Sequence, residues 1–142
     1  MNSPKQVVGV AFIKDNRLLV VQSKKSQKNN AYTFVGGGVE EGENLIEACV
    51  REVSEEIHNG FTIAPHELEL VMTKTETAAS DSNLTIEMHV FLAHKDIDVE
   101  LIPNEEILIY HWYAIGEDLN ISNSIKDFLD IAAKKGVINI EA

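Results

Sequence analysis

Apolar and polar positions along the chain follow two periods, one of strands and one of helices. Residues 6–13, QVVGVAFI, are rich in Val, Ile and Phe and predict a buried strand. Lys14-Asp15-Asn16 predicts a turn and residues 17–22 a second strand, so the first two strands are expected to pair as a hairpin. A polar loop, 23–30, leads to a short strand over 32–35 that feeds Gly36-Gly37-Gly38. Beyond it, Ile46, Val50, Val53 and Ile57 are spaced four, three and four apart, the stripe of a helix laid on a core. Asn44 is placed to cap that helix, with Glu47 three residues on, a variant of the capping box.

The second half alternates similarly. Residues 61–63 are a short extended piece, Pro65 starts a turn, and 68–75 reads as a strand. Residues 76–83, ETAASDSN, read as a loop. Over 84–93, Leu84, Ile86, Met88 and Val90 alternate as in a central strand, with Glu87 and His89 on the other face and candidates to lie near a cleft. The plainer reading of His89 is a core or surface histidine with one hydrogen bond. After a loop at 96–104, residues 107–114 give another strand. Ser122 or Ser124 caps a last helix with Ile125, Phe128, Leu129 and Ala132 as its apolar stripe, ended by Lys134-Lys135-Gly136. Periodicity alone supports a mixed α and β domain.

Glu52, Glu55 and Glu56 fall on another face of the first helix, within one turn. Carboxylates three and four apart face each other and repel, by roughly 0.2–0.5 kcal/mol per pair. They stand toward the helix C-terminus, which favours cations, and no Lys or Arg follows one turn on to neutralise them. A solvated acidic face is the plain alternative. Against it, Leu45, Ala48 and Cys49 further back on this face are small or apolar, so the face points at something, expected to be the glycine turn. Three carboxylates in a partly covered place need a counter-charge, and a hard divalent cation with oxygen ligands supplies one.

These residues resemble the signature of the Nudix hydrolases, the MutT-like family. Its pattern, Gly-x5-Glu-x7-Arg-Glu-apolar-x-Glu-Glu-x-Gly-apolar, is matched at Gly37, Glu43, Arg51, Glu52, Val53, Glu55 and Glu56. His58 and Asn59 stand at the last two positions instead of Gly and an apolar residue, so Asn59-Gly60 is expected to cap a slightly longer helix. Val35 stands where many members have Pro, and Glu106 to Trp112 looks like another recurring segment of the family. More loosely, the resemblance extends over nearly the whole chain.

The resemblance implies an α+β fold, a Nudix-type α/β/α sandwich with a mixed β-sheet between helices. It implies that Glu52, Glu55 and Glu56, with the Gly36 carbonyl, hold Mg²⁺ or Mn²⁺, and that Glu43 pairs with Arg51, which orients the carboxylates. It also implies metal-dependent attack of water on a pyrophosphate phosphorus, in a nucleoside diphosphate linked to another group. Glu52, Arg51, Glu55 and Glu106 are then the catalytic set. The general base is open between Glu52 and the later residues Glu76, Glu105 and Glu106. The alternative is a non-catalytic nucleotide-sensing or interaction module on the same fold. Loss of a signature Glu would favour it, and none is lost.

Composition narrows the picture. At 142 residues the chain, 1–142, is expected to be a single domain with a real core. A net charge of −11 argues against nucleic acid and anionic membranes as partners. It also leaves a phosphate substrate in need of cations. Lys24, Lys25 and Lys28 form either a solvated loop or a basic arm for phosphates, and Tyr32, Phe34, Trp112 and Tyr113 either stack on a base or belong to the core. The single Cys49 excludes an internal disulfide, the N-terminus lacks an apolar signal region, and a cytoplasmic location is expected. A small nucleotide-type molecule is the expected substrate, with no subfamily signature to name it, and the family resemblance admits a homodimer.

Overall fold

The computed structural model describes residues 4–78 and 81–139. The strands are β1 (Lys5–Ala11), β2 (Ile13–Lys14), β3 (Arg17–Ser23), β4 (Val35–Gly38), β5 (Leu68–Ala78), β6 (Asp81–Ala93) and β7 (Ile107–Tyr113). The helices are α1 (Leu45–Ile57), between β4 and β5, and α2 (Asn123–Lys135), after β7. A four-stranded mixed sheet runs β4-β1-β6-β5, and a three-stranded antiparallel sheet runs β2-β3-β7. β1 is the hinge of the larger sheet, antiparallel to β4 and parallel to β6.

Side chains alternate across the strands and so build two cores. Val8 and Val10 of β1 and Leu19 and Val21 of β3 join Ala48, Cys49, Val53 and Ile57 of α1. Ala11, Leu18 and Val20 face the other way, toward Ile125, Phe128, Leu129 and Ala132 of α2. The helices therefore lie on opposite sides of the strands, as the α/β/α sandwich requires. Among the described residues, no helix is long and apolar enough to cross a membrane.

The helix starts follow the sequence. Asn44 Oδ1 accepts the Glu47 N–H at 2.8 Å while Glu47 Oε1 accepts the Asn44 N–H at 2.9 Å, a complete capping box. Ser122 occupies the cap position of α2 but makes no side-chain cap bond, its hydroxyl meeting Ser124 Oγ at 3.1 Å, and Gly136, at φ 77°, ends the helix.

Several expectations are corrected. The hairpin of the first two strands survives only as β2 and β3, joined through Asp15 and Asn16, both at positive φ. The chain changes sheets at Phe12, and an unbroken apolar run carries no period to reveal that. The loop expected at 76–83 is instead hairpin: β5 continues to Ala78 and β6 begins at Asp81, with residues 79 and 80 outside the described set. Glu76 pairs with Ile86 and Thr77 with Thr85, so cross-strand pairing outweighs the polar composition. The glycines are not a turn but strand β4, while Tyr32 and Thr33 make only isolated bridges. Finally, α1 does not run on: it stops at Ile57, and His58, Asn59 and Gly60 all take positive φ.

Candidate active site

The site is built where α1 lies against the glycine strand. Val53 and Ile57 anchor one face of α1 in the core, which turns Glu52 toward β4. A Cβ added at Gly37 would lie 2.6 Å from Glu52 Oε2, so the carboxylate rests on bare backbone. At Gly36 an added Cβ would fall 2.0 Å from the Val8 carbonyl oxygen, and its φ of 152° is one that side chains avoid. The Gly36 N–H donates to Glu56 Oε1 at 3.0 Å. Gly36 is thus glycine because the neighbouring strand leaves no room for a side chain, while a side chain at Gly37 would displace the Glu52 carboxylate.

Arg51 holds the acidic face together. Its Nε and Nη2 donate to the two oxygens of Glu43 at 2.8 and 2.9 Å, a bidentate pair. Nη2 also reaches the Gly38 carbonyl at 2.9 Å, while Nη1 reaches Glu52 Oε1 at 2.7 Å and Glu55 Oε2 at 3.2 Å. The neutralising charge that the sequence lacks one turn onward therefore comes from within the cluster. The Arg51 hydrogen bonds, helped by the Glu40 backbone, hold the Glu43 carboxyl at about 2. Glu56 is pushed the other way, well above the carboxylate range. Burial is the main cause, the Gly36 N–H opposes it, and the charges of Glu52 and Glu106 add to it.

A cavity of about 540 Å³ opens beside these groups. Glu52, Glu55 and Glu56 line one side, with Glu76, Glu105 and Glu106 also reaching it. Lys5, Lys24 and Lys25 supply positive charge, and Val7, Phe34, Ile86 and Met88 an apolar part. The structure so brings together Gly36, Glu52, Glu55, Glu56 and Glu106, with Arg51 behind them. Lys28 does not line the cavity; it sits on a short 3-10 turn, Gln27–Asn29. Of the aromatic candidates only Phe34 lines it, and its ring packs edge-on against Phe128, 5.5 Å away. Tyr32 and Tyr113 belong to the α2-side core, and Trp112 packs on the α1-side core.

Glu87 and His89 are also absent from the cavity lining. Ile86 and Met88 point into it, so their neighbours on β6 must point to the other face. His89 is buried there, 3.1 Å from Thr73 Oγ1 and 2.7 Å from Gln6 Oε1. Sequence reasoning missed Lys5, Asn104 and Tyr110. Asn104 stands in the turn that carries Glu105 and Glu106, Tyr110 in the strand that follows it, and no spacing rule links them to α1.

Among the described residues, no three His, Cys, Asp or Glu side chains already converge as a metal-holding group. The donor chemistry nonetheless fits a hard divalent cation. Burial and the neighbouring Glu52 charge raise the affinity of Glu56 for a proton, and all donors are oxygen. Glu52, Glu56 and the Gly36 backbone are the groups that would hold such an ion, with Glu55 beside them.

The family model described as the NUDIX domain matches residues 3–128. No curated protein matches the sequence. Among solved structures, the MutT NUDIX hydrolase from Burkholderia pseudomallei is similar at a TM-score of 0.74 and 20% identity, over 91% of this chain and 98% of that one. The MutT protein from Methanosarcina mazei gives 0.74 and 18%, over 96% and 98%. An ADP-ribose pyrophosphatase from Streptococcus suis gives 0.65 and 16%, over 96% and 95%. At these identities the likeness speaks for the fold, while the family model speaks for the lineage. Nudix hydrolases generally need divalent cations and act on small nucleotide substrates, in keeping with the cavity. With the signature helix laid on a glycine strand and the family model spanning most of its length, the chain belongs to the Nudix family of pyrophosphohydrolases.

Proposed function

We propose that this chain hydrolyses a pyrophosphate bond in a nucleoside diphosphate linked to another group, a nucleoside triphosphate or a nucleotide derivative. One observation carries the reading: a single cavity joins the Glu52, Glu55 and Glu56 side to Lys24 and Lys25 and to an apolar part. Glu52, Glu55, Glu56 and the Gly36 carbonyl are assigned to Mg²⁺ or Mn²⁺. A bound ion would neutralise phosphate oxygens and lower the pKa of water.

Arg51 is a positioning residue in this reading. Its hydrogen bonds to Glu52 and Glu55 hold their oxygens in place, and with those to Glu43 and Gly38 they leave it no donor free for substrate. Lys24 and Lys25 bind the phosphates as exposed cations. Glu106 is assigned as the general base, with Glu52 the alternative. It takes the proton of the attacking water as the new P–O bond forms and the bridging P–O bond breaks, the electron pair leaving with the bridging oxygen. Glu106 supports the reading by lining the same cavity as Glu52, Glu55 and Glu56 without sharing the Arg51 hydrogen bond that occupies Glu52. Residues 1–142 are read as one domain.

The test is a panel of nucleoside triphosphates, ADP-ribose, dinucleoside polyphosphates and NADH with Mg²⁺, scored by phosphate or nucleotide release. ADP-ribose is included because one structural neighbour is named for cleaving it. Glu52→Gln and Glu56→Gln are expected to lower kcat by about a hundredfold or more. Full turnover in both variants would refute the assignments. Nucleotide binding without turnover in the unaltered protein would favour the sensing module instead.

A further inference from the structure

We propose that Tyr110 and Asn104 form a positioning clamp that sets the turn carrying Glu105 and Glu106 against the carboxylate end of α1. The inference rests on the reading of Glu106 given above. Glu56 lies in the last turn of α1, so its carbonyl has no partner within the helix. Tyr110 Oη supplies the missing bond, donating to the Glu56 carbonyl oxygen. The same phenol oxygen accepts the Asn104 Nδ2–H at 3.0 Å. Asn104 then organises the turn. Its Oδ1 accepts the Glu106 and Ile107 N–H groups, each at 3.0 Å, and its own N–H donates to the Ile107 carbonyl at 2.8 Å. The Glu106 carbonyl in turn accepts the Lys24 N–H at 3.0 Å.

One chain of hydrogen bonds thus runs from the helix that bears Glu52 and Glu56, through Tyr110 and Asn104, to Glu106 and on to the Lys24 loop. These are the separate walls of the cavity, contributed by elements far apart in sequence. A tyrosine that merely satisfied a helix end would affect stability alone. A clamp fixes the distance between the acid on the turn and the acids on the helix, and misplacing a reacting group by about 1 Å can cost up to about a hundredfold in rate.

The variants are Tyr110→Phe, which keeps the ring, and Asn104→Ala, singly and together. Two readouts are used: kcat and KM on the best substrate of the panel, and amide hydrogen exchange in the metal-free protein. Tyr110→Phe is expected to lower kcat about tenfold with KM within about twofold. It is also expected to speed exchange at Lys24, Glu106 and Ile107 while leaving Val53 unchanged. The double variant is expected to match Asn104→Ala, because both residues act through one link. Unchanged exchange and kcat in Tyr110→Phe, or effects that multiply independently, would overturn the clamp. If the unaltered protein turned over nothing, the hydrolase reading would fall while the exchange data still judged the clamp. An active protein indifferent to Tyr110→Phe in both readouts would lose the clamp and keep the hydrolase.

Discussion

His58 is held at φ 63° and ψ −165°, a backbone region that only glycine occupies freely. It stands where the family pattern has Gly, in a conformation that suits glycine. Such a residue costs on the order of 1–3 kcal/mol, part of which glycine gives back through its freer unfolded state. His58→Gly is therefore expected to raise stability by about 1 kcal/mol in urea or thermal unfolding. A loss of stability would show that the imidazole makes contacts worth more than the strain. At this scale the sequence was informative about residue identity and weak on conformation. The mismatch at 58 was legible, but extending the helix was the wrong remedy, because the cost of a strained φ is invisible in a one-dimensional pattern.

Between elements, the Glu43–Arg51 pair ties the segment before α1 to the helix itself, and Arg51 carries the tie on to Gly38 of β4. The Glu43 carboxyl falls from an ordinary 4.5 to about 2 in the folded chain. A depressed acid stabilises the fold at pH above its unfolded value, and that stabilisation fades as pH drops toward the folded value. The stability gap between the unaltered protein and Glu43→Gln is thus expected to be constant above about pH 5 and to close between 4.5 and about 2. Denaturant midpoints measured across that range would show it, and a gap independent of pH would deny the pair its role. Elements with a clean period were legible in advance: α1, α2, β3 and β7. The sheet change at Phe12 and the β5–β6 hairpin were not. In the first case the run is apolar without a period, and in the second the polar residues 76–83 read as loop although Glu76 and Thr77 pair with Ile86 and Thr85.

Over the whole molecule, a net charge of −11 must admit a polyanionic substrate. Lys5, Lys24 and Lys25 line the cavity, and among the described residues none has an ion-pair partner. Lys24→Ala with Lys25→Ala is expected to raise KM about tenfold with a smaller change in kcat, and to flatten the rise of KM with salt, since screening at 0.1 M acts over about 10 Å. An unaltered KM would place the phosphates elsewhere. The signature exposed half of the site to sequence reading, because one helix and its preceding strand carry it. Of the opposing half the resemblance named Glu106, but Lys5 of β1, Asn104 before β7 and Tyr110 within it are distant in sequence, and only folding assembles them with it.

The bare strand Val35–Gly38 has a lasting consequence for how such a scaffold diversifies. One rim of the reaction chamber is peptide, not side chain, and any branch added at Gly36 or Gly37 collides with Val8 or Glu52. At Gly36 the obstacle is backbone, and at Gly37 a substitution displaces the Glu52 carboxylate itself. New selectivities must be written on the margins instead, in the long hairpin and in the lysine-bearing loop, while the chemical centre passes unedited from one descendant to the next.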